Sequence, residues 1–411
     1  MKLTVFLPIC AVFLSQPLFA AELCPEKLVS PEAVVRCAEE RSPDIQRARL
    51  RVDQAKAQVG VAGQWQNPEI SAESVHGRVD SETSSETEFS LGIPIELGGK
   101  ISARKEVAQG GVAQAEAALF QARSEVRALT LLKLHRLRQL IHEREVIEES
   151  ISTFTKLVSQ FARRPKLSPE QEVSASVFRM VKSEFDLKKA EVQDQLASLD
   201  SYFKLTLGVG SEALKGALPQ SPKSWPEVDP NGSKGLSPQS RLLAAELRTA
   251  QAEVSLAQSE SWPTVTLGPS IKLQSEAGRS YQLYGFNLSL PLPLFNLNGA
   301  GREAAAAGLK LSETRKNLGI LEEERRREEL FKSYKQSVAV LATTLSHQEI
   351  EKKHSDAERL FLRGIVPSSL IIEAHRTYVE LEASRNEREL KALEALYTIY
   401  ALDGKNLEVN Q

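Results

Sequence analysis

Two stretches of this chain alternate apolar and polar positions and then run into long helical patterns. In the first, Phe89, Leu91, Ile93 and Ile95 fall on one side and Glu88, Ser90 and Gly92 on the other. In the second, Tyr284, Phe286, Leu288, Leu290 and Leu292 share a side opposite Asn287 and Ser289. A period of two is that of a strand with unlike faces. A weaker strand, Glu69–Val75, precedes the first. A clear one, Thr264–Gln274, precedes the second, with Val265, Leu267, Ile271 and Leu273 on one side. The pattern predicts two β-hairpins, over 69–97 and 264–295. The polar run from His76 to Glu86 reads as a long loop in the first, and Ser275–Ser280 as a short loop in the second.

Beyond Gly98-Gly99 a helical pattern continues to Arg163. Val112, Leu119 and Val126 recur every seven residues, as do Ala115, Ala122 and Leu129, which is a coiled-coil repeat. Such a helix spans roughly 95 Å. Pro165 stops it, and Ser168-Pro169-Glu170 starts a return helix that runs to Leu207. The second half repeats the scheme with a long helix from Ala300 to Arg363, a break at Gly364–Pro367, and a return helix to Leu402. Shorter helices open at Ser30-Pro31, Ser42-Pro43 and Ser237-Pro238. Asn67-Pro68 and Trp262-Pro263 end the helices before each hairpin, at a shift of about 195 residues that also separates Ser42-Pro43 from Ser237-Pro238, which reads as a duplication. The expected organisation is a first repeat over 21–208, a Gly-, Pro- and Ser-rich connector over 209–237, a second repeat over 238–404 and a tail over 405–411. The helical turns fall at 164–169 and 363–368.

Composition narrows the class. Of 411 residues, 41% are hydrophobic, 26% charged and only 6% aromatic, with a net charge of −2. Near neutrality argues against nucleic acid as a partner, and the balance suits long helices. Lys2, the apolar run Leu3–Leu14 and Leu18-Phe19-Ala20-Ala21 read as a signal peptide over 1–20. Cys10 would leave with it. Cys24 and Cys37 are then a disulfide candidate in an oxidising compartment, with two unpaired thiols as the alternative that spacing leaves open. Glu22-Leu23 before Cys24 are not the small residues of a lipoprotein cleavage site, so no lipid anchor is expected. No later stretch holds ~18 consecutive apolar residues, so an exported chain is either soluble or crosses a membrane as a closed barrel.

Candidate chemistry is sparse. Gly98-Gly99-Lys100 lacks the earlier glycine of a phosphate loop, because Pro94 stands there. His135 and His142 lie seven apart, as do His347 and His354, and seven helical residues span roughly 10 Å, too far for one ion. These histidines read as exposed helix positions, and Glu322–Arg327 as a solvated charged face. No catalytic, cofactor-binding or metal-ligating residue is assigned.

The hairpins carry more. Strands of about ten residues are long enough to cross a bilayer tilted. Four strands cannot close a barrel, and an open sheet leaves unpaired backbone in lipid. Three copies would supply about twelve strands. A soluble α+β protein with a small sheet is the other reading.

With that plan repeated twice, the chain resembles the TolC-like outer membrane efflux proteins. The resemblance is carried by Asn67-Pro68-Glu69, by Ile93-Pro94-Ile95-Glu96-Leu97 with Gly99-Lys100 and Ala103-Arg104, and by Leu290-Pro291-Leu292-Pro293-Leu294-Phe295 with Gly301-Arg302. The Pro-Ile-Glu-Leu-Gly-Gly-Lys form most resembles the branch serving heavy-metal resistance-nodulation-division pumps of the cobalt–zinc–cadmium type. The resemblance implies a mainly α fold with a small β part. Long antiparallel coiled-coil helices and two β-hairpins per chain would assemble as a homotrimer with a 12-stranded barrel in the outer membrane and an α-helical tunnel in the periplasm. Lipid-facing strand residues would be Phe89, Leu91, Leu267, Phe286 and Leu288. The turns bearing Lys166, Leu167, Ser168 and Pro169, and Gly364, Ile365, Val366, Pro367 and Ser368, would be tips docking on a periplasmic adaptor that couples the duct to an inner-membrane pump. Family members often carry two acidic residues after the second tip. Here Leu370 replaces the first, and Glu373 takes the place of the second at the tunnel entrance. The implied function is a passive duct for metal cations. A soluble periplasmic coiled-coil scaffold or adaptor, and a duct for drugs or secreted polypeptides, are the alternatives.

Overall fold

A computed structural model of the chain describes residue 24 and residues 28–79, 82–232, 237–276 and 279–405. The expected signal peptide lies outside the described residues. Serine caps and prolines start most of the helices. Ser30 accepts from Ala33 N–H and Pro31 opens α1 (Pro31–Arg41); Pro43 opens α2 (Pro43–Ala62). Cys24 and Cys37 are joined as a disulfide, with Cα atoms 5.5 Å apart, which ties the N-terminal segment to α1.

The strands β1 (Glu69–Val79), β2 (Glu82–Glu96), β3 (Thr264–Glu276) and β4 (Arg279–Ser289) form one antiparallel sheet in the order β1-β2-β3-β4. Both hairpins therefore lie side by side, with β2 against β3 and the edges of β1 and β4 unpaired. The polar stretch from His76 to Glu86, expected as a loop, is strand over most of its length, with His76 opposite Ser85 and Val75 opposite Glu86. Its residues satisfy their backbone through the ladder, which needs no apolar side chains. The second hairpin stops at Ser289, short of the expected 295, because Pro291 and Pro293 lack the N–H that a ladder requires.

Both sheet-to-helix junctions pass through a left-handed residue. Gly99, at φ 73°, precedes α3 (Lys100–Ala162), and Asn298, at φ 54°, precedes α6 (Gly299–Thr343). Gly98 is also left-handed, and a Cβ there would lie 2.3 Å from the Trp262 ring, so the Gly-Gly pair is set by both backbone and space. Asn298 is the only non-glycine with positive φ among the described residues. Its side chain donates to Ala257 O at 2.9 Å, which anchors this less favourable conformation.

From the first junction α3 runs 63 residues to the far end of the molecule, and α4 (Pro169–Leu207) returns. A short 3₁₀ turn, Ser211–Ala217, and α5 (Pro238–Ser259) follow. The second long helix differs from expectation. It breaks after Thr343 and resumes as α7 (His347–Leu362), before α8 (Ser368–Leu402) returns. The physical cause is a capping box: Ser346 Oγ accepts from Glu349 N–H, and Ser346 N–H donates to Glu349 Oε2 at 2.8 Å. Arg385 on α8 donates to Thr344 Oγ1 and Leu341 O, satisfying the end of α6.

The core lies between α1, α3, α4, α7 and α8. Phe154, Phe178, Phe185 and Phe203 are fully buried, each stabilising by about 1.5–3 kcal/mol. A second cluster joins α6 to α8 through Tyr334, Leu341, Ala392, Leu396 and Ile399. The connector packs on it, with Trp225 edge-on to Tyr334 and Tyr334 Oη donating to Pro226 O at 2.7 Å. In the Glu322–Arg327 run, Glu322, Glu324, Arg325 and Arg326 are exposed as expected, whereas Glu323 and Arg327 are half-buried. Glu323 accepts from Ser237 and Ser240 at the start of α5. Arg327 grips buried Asp403 at 2.7 Å and the carbonyls of Asp229 and Pro230. That single helix segment clamps the connector and the chain's C-terminal end.

Candidate functional site

Cross-strand register sorts the sheet into two unlike faces. Leu288 lies opposite Leu267, and Leu267 opposite Ile93; Phe89 lies opposite Ile271, and Ile271 opposite Tyr284. Directly opposed residues share a face. Phe89, Leu91, Leu267, Phe286 and Leu288 therefore all fall on one face, with Ile70, Ile95 and Val265 beside them. Phe286 and Leu288 are 69% and 62% exposed, so no layer among the described residues covers them. The other face carries Ser71, Ser90, Glu86, Glu88, Ser270, Lys272 and Asn287. Ser71 and Ser90 hydroxyls are 2.7 Å apart, and Lys272 Nζ lies 2.6 Å from Glu86 and 3.7 Å from Glu88. Such a sheet suits an apolar medium on one side and water on the other.

The helical turns lie at the opposite end. In the first, Lys166, Ser168 and Pro169 are exposed and Leu167 half-buried. Ser168 caps α4 through a reciprocal box with Gln171. In the second, Gly364, Ile365 and Pro367 are exposed, while Val366 and Ser368 are half-buried. Behind the turns Arg376 of α8 pairs with Glu184 of α4 at 2.8 Å, joining the two helical hairpins. Glu373 is exposed on α8, and Leu370 on the same helix is half exposed.

The histidines depart from expectation. His135, His354 and His375 are buried, and His142 and His347 are half-buried. Burial, helped by nearby Arg138, drives the His135 imidazole down to about 3. Burial and then the charge of His354 take His375 to about 3. His375 Nδ1 faces the Ser150 hydroxyl at 2.9 Å and His354 Nε2 at 3.1 Å, while its ring packs edge-on to Phe154.

A second group unites three helices. His142 of α3, His347 at the start of α7 and Glu382 of α8 bring their ligand atoms within 4.8 Å of one another. His142 Nε2 lies 3.5 Å from Glu382 Oε2, to which His347 Nδ1 also bonds. Burial works to raise the Glu382 carboxyl, but the hydrogen bonds from His142 and His347 outweigh it and hold it at about 2. The hydrogen bond it donates to Glu382 raises His142 in turn, against its own burial. Sequence reasoning tested histidine pairs only along single helices, and no local signal marks this meeting of positions 142, 347 and 382.

Known proteins share this plan. Residues 34–164 match the sequence model of the family described as "Outer membrane efflux protein". The probable outer membrane lipoprotein SilC of Salmonella typhimurium is 22% identical over 394 residues, covering 86% of this chain and 82% of SilC. The cobalt-zinc-cadmium resistance protein CzcC of Cupriavidus metallidurans is 27% identical over 277 residues, 65% of this chain and 63% of CzcC. The structure of the outer-membrane channel OprN superposes with a TM-score of 0.71 at 17% identity, over 92% of this chain and 90% of OprN. With the doubled hairpin-to-helix plan and the two-faced sheet, the chain has the fold of solved outer-membrane channels such as OprN, and its residues 34–164 are similar to the outer membrane efflux protein family.

Proposed function

We propose that this chain is an outer membrane efflux channel, a passive duct for metal cations assembled from three copies. The observation that carries the duct is the two-faced sheet with its free β1 and β4 edges, feeding directly into two long helices. No described helix is long and apolar enough to span a membrane. Open edges are costly in lipid, so β1 of one copy pairs with β4 of the next, closing about twelve strands around a polar lumen. The helices support the same assembly. Val173, Met180 and Leu187 on α4 are each more than 60% exposed at heptad spacing, and Leu311 and Leu318 on α6 follow the same interval. Neighbouring copies would cover these seams.

Metal cargo is supported by SilC and CzcC, the second of which is named for cobalt, zinc and cadmium resistance. The helical turns would dock on a periplasmic adaptor and through it on an inner-membrane pump, which supplies the energy. Glu373 would line the entrance. The test is deletion of the gene in its host, followed by growth on graded cobalt, zinc, cadmium and silver. Greater sensitivity to one or more of these, restored by the intact gene, is expected. Unchanged metal tolerance with new sensitivity to dyes or antibiotics would replace metals by organic compounds as the cargo.

A further inference from the structure

We infer that His142, His347 and Glu382 form a binding site for one divalent first-row transition-metal cation, held between α3, α7 and α8 beside the break that follows α6. Three different helices supply the ligands, so their convergence is a product of tertiary packing. A tetrahedral ion with bonds of about 2.0–2.1 Å needs its ligand atoms roughly 3.3 Å apart. His142 Nε2 and Glu382 Oε2, 3.5 Å apart, are near that spacing, whereas His347 Nδ1 and Glu382 Oε2 are in direct hydrogen-bond contact, so the His347 ring draws back as the ion enters. The two imidazoles are 5.8 Å apart, centroid to centroid, and at 88° to each other, so they approach the carboxylate from different directions.

A second feature points to a ligand. Glu382 is 1% exposed, and its Oε1 is buried with no hydrogen-bond partner. Buried carboxylate oxygens are normally satisfied, and an ion on Oε2 also satisfies Oε1 when the Glu382 carboxylate binds it through both oxygens. The half-buried His142 and His347 leave one side of the group open for water as a fourth ligand.

The donor set selects the ion. Two imidazoles and one carboxylate suit Zn²⁺, Co²⁺, Ni²⁺ or Cu²⁺. Soft monovalent ions prefer thiolate or thioether, and Mg²⁺ and Ca²⁺ prefer oxygen throughout. His347 is the first residue of α7, directly after the Ser346 cap, so the ion ties the resumed helix to α3 and α8. The site rests on these side chains and not on the nature of the exported cargo.

The test uses the purified full-length protein in detergent, stripped with chelator and titrated with Co²⁺. A single Co²⁺ per chain with visible d–d absorption is expected, displaced by Zn²⁺ and indifferent to excess Mg²⁺. His142→Gln and His347→Gln, at half-buried positions chosen to spare the fold, should each weaken binding by more than about tenfold with unchanged helical circular dichroism. Absence of saturable uptake by the native chain, uptake undiminished in both variants, or equal competition by Mg²⁺ would each overturn the site. Because binding is measured on isolated protein, its outcome is separate from the metal tolerance of a deletion strain.

Discussion

Arg104 Nη1 lies 2.6 Å from Glu96 Oε2, bridging the last residue of β2 to the first turns of α3. The same guanidinium donates to Ala62 O and Gln64 O at the end of α2. One side chain thus fixes three elements where sheet becomes helix. The Glu96 side chain is 4% exposed and that of Arg104 33%, so the carboxylate is the more deeply committed partner. Glu96→Gln should destabilise the chain by roughly 1–3 kcal/mol, the cost of weakening a charge-assisted bond in a half-buried pair. The check is the thermal unfolding midpoint in detergent, with Arg104→Ala and the double variant completing a cycle. A midpoint unmoved by Glu96→Gln would show the pair to be incidental.

The two sheet faces predict opposite responses at adjacent residues. Leu288 lies on the apolar face opposite Leu267, and Asn287 on the polar face opposite Gly268. Leu288→Arg should lower the amount of assembled protein in outer membrane fractions, since a charge at mid-bilayer on the lipid side costs about 2–4 kcal/mol. Asn287→Arg should assemble normally and change conductance. Equal yields of the two variants would contradict the assignment of faces.

These relationships differ in how far the sequence discloses them. Phe89–Ile95 and Tyr284–Ser289 are legible because a two-faced strand writes its period into the chain. The stretch His76–Glu86 is not, because its residues are polar on both faces and the alternation vanishes although the ladder continues. The helix break was readable in principle: Ser346 and Glu349 have the spacing of a capping box, but the surrounding residues favour helix so strongly that the pattern runs through it. Arg327 and Glu323 look like surface charges until the connector folds over them. His142, His347 and Glu382 meet only through the packing of three helices, which no local pattern encodes.

The buried histidines make stability depend on pH in a defined direction. His375 titrates near 6.5 when unfolded and is held at about 3 by burial and then by His354. Its neighbours across the packed helices are Ser150 and Phe154 of α3 and His354 of α7, and Glu149 lies 3.9 Å from His354. Below pH 6.5 the unfolded chain takes up a proton that the folded chain refuses, so stability present above 6.5 is lost as pH falls towards 3. At pH 5 the loss from this one group is roughly 2 kcal/mol. His375→Phe removes that term. The midpoint of the variant relative to native should therefore rise on going from pH 7.5 to pH 5, whatever its offset at neutral pH. Parallel pH profiles for the two proteins would exclude the effect.

Glu373 and Glu380 provide the contrast that tests an electrostatic entrance. Both are exposed on the outer part of α8, seven residues apart, two turns of one helix. Glu380 has Lys188 of α4 at 3.6 Å, whereas Glu373 has no cation paired with it among the described residues. Three unpaired carboxylates around a narrow mouth attract cations and repel anions, and a charge already matched by lysine adds little. Glu373→Ala should therefore shift the reversal potential of single channels, measured under a salt gradient, towards lower cation preference. Glu380→Ala should leave it close to native. The shift should also shrink as salt rises, because the Debye length falls from about 10 Å at 0.1 M to about 3 Å at 1 M. Identical reversal potentials for native protein and Glu373→Ala at low salt would remove Glu373 from the entrance.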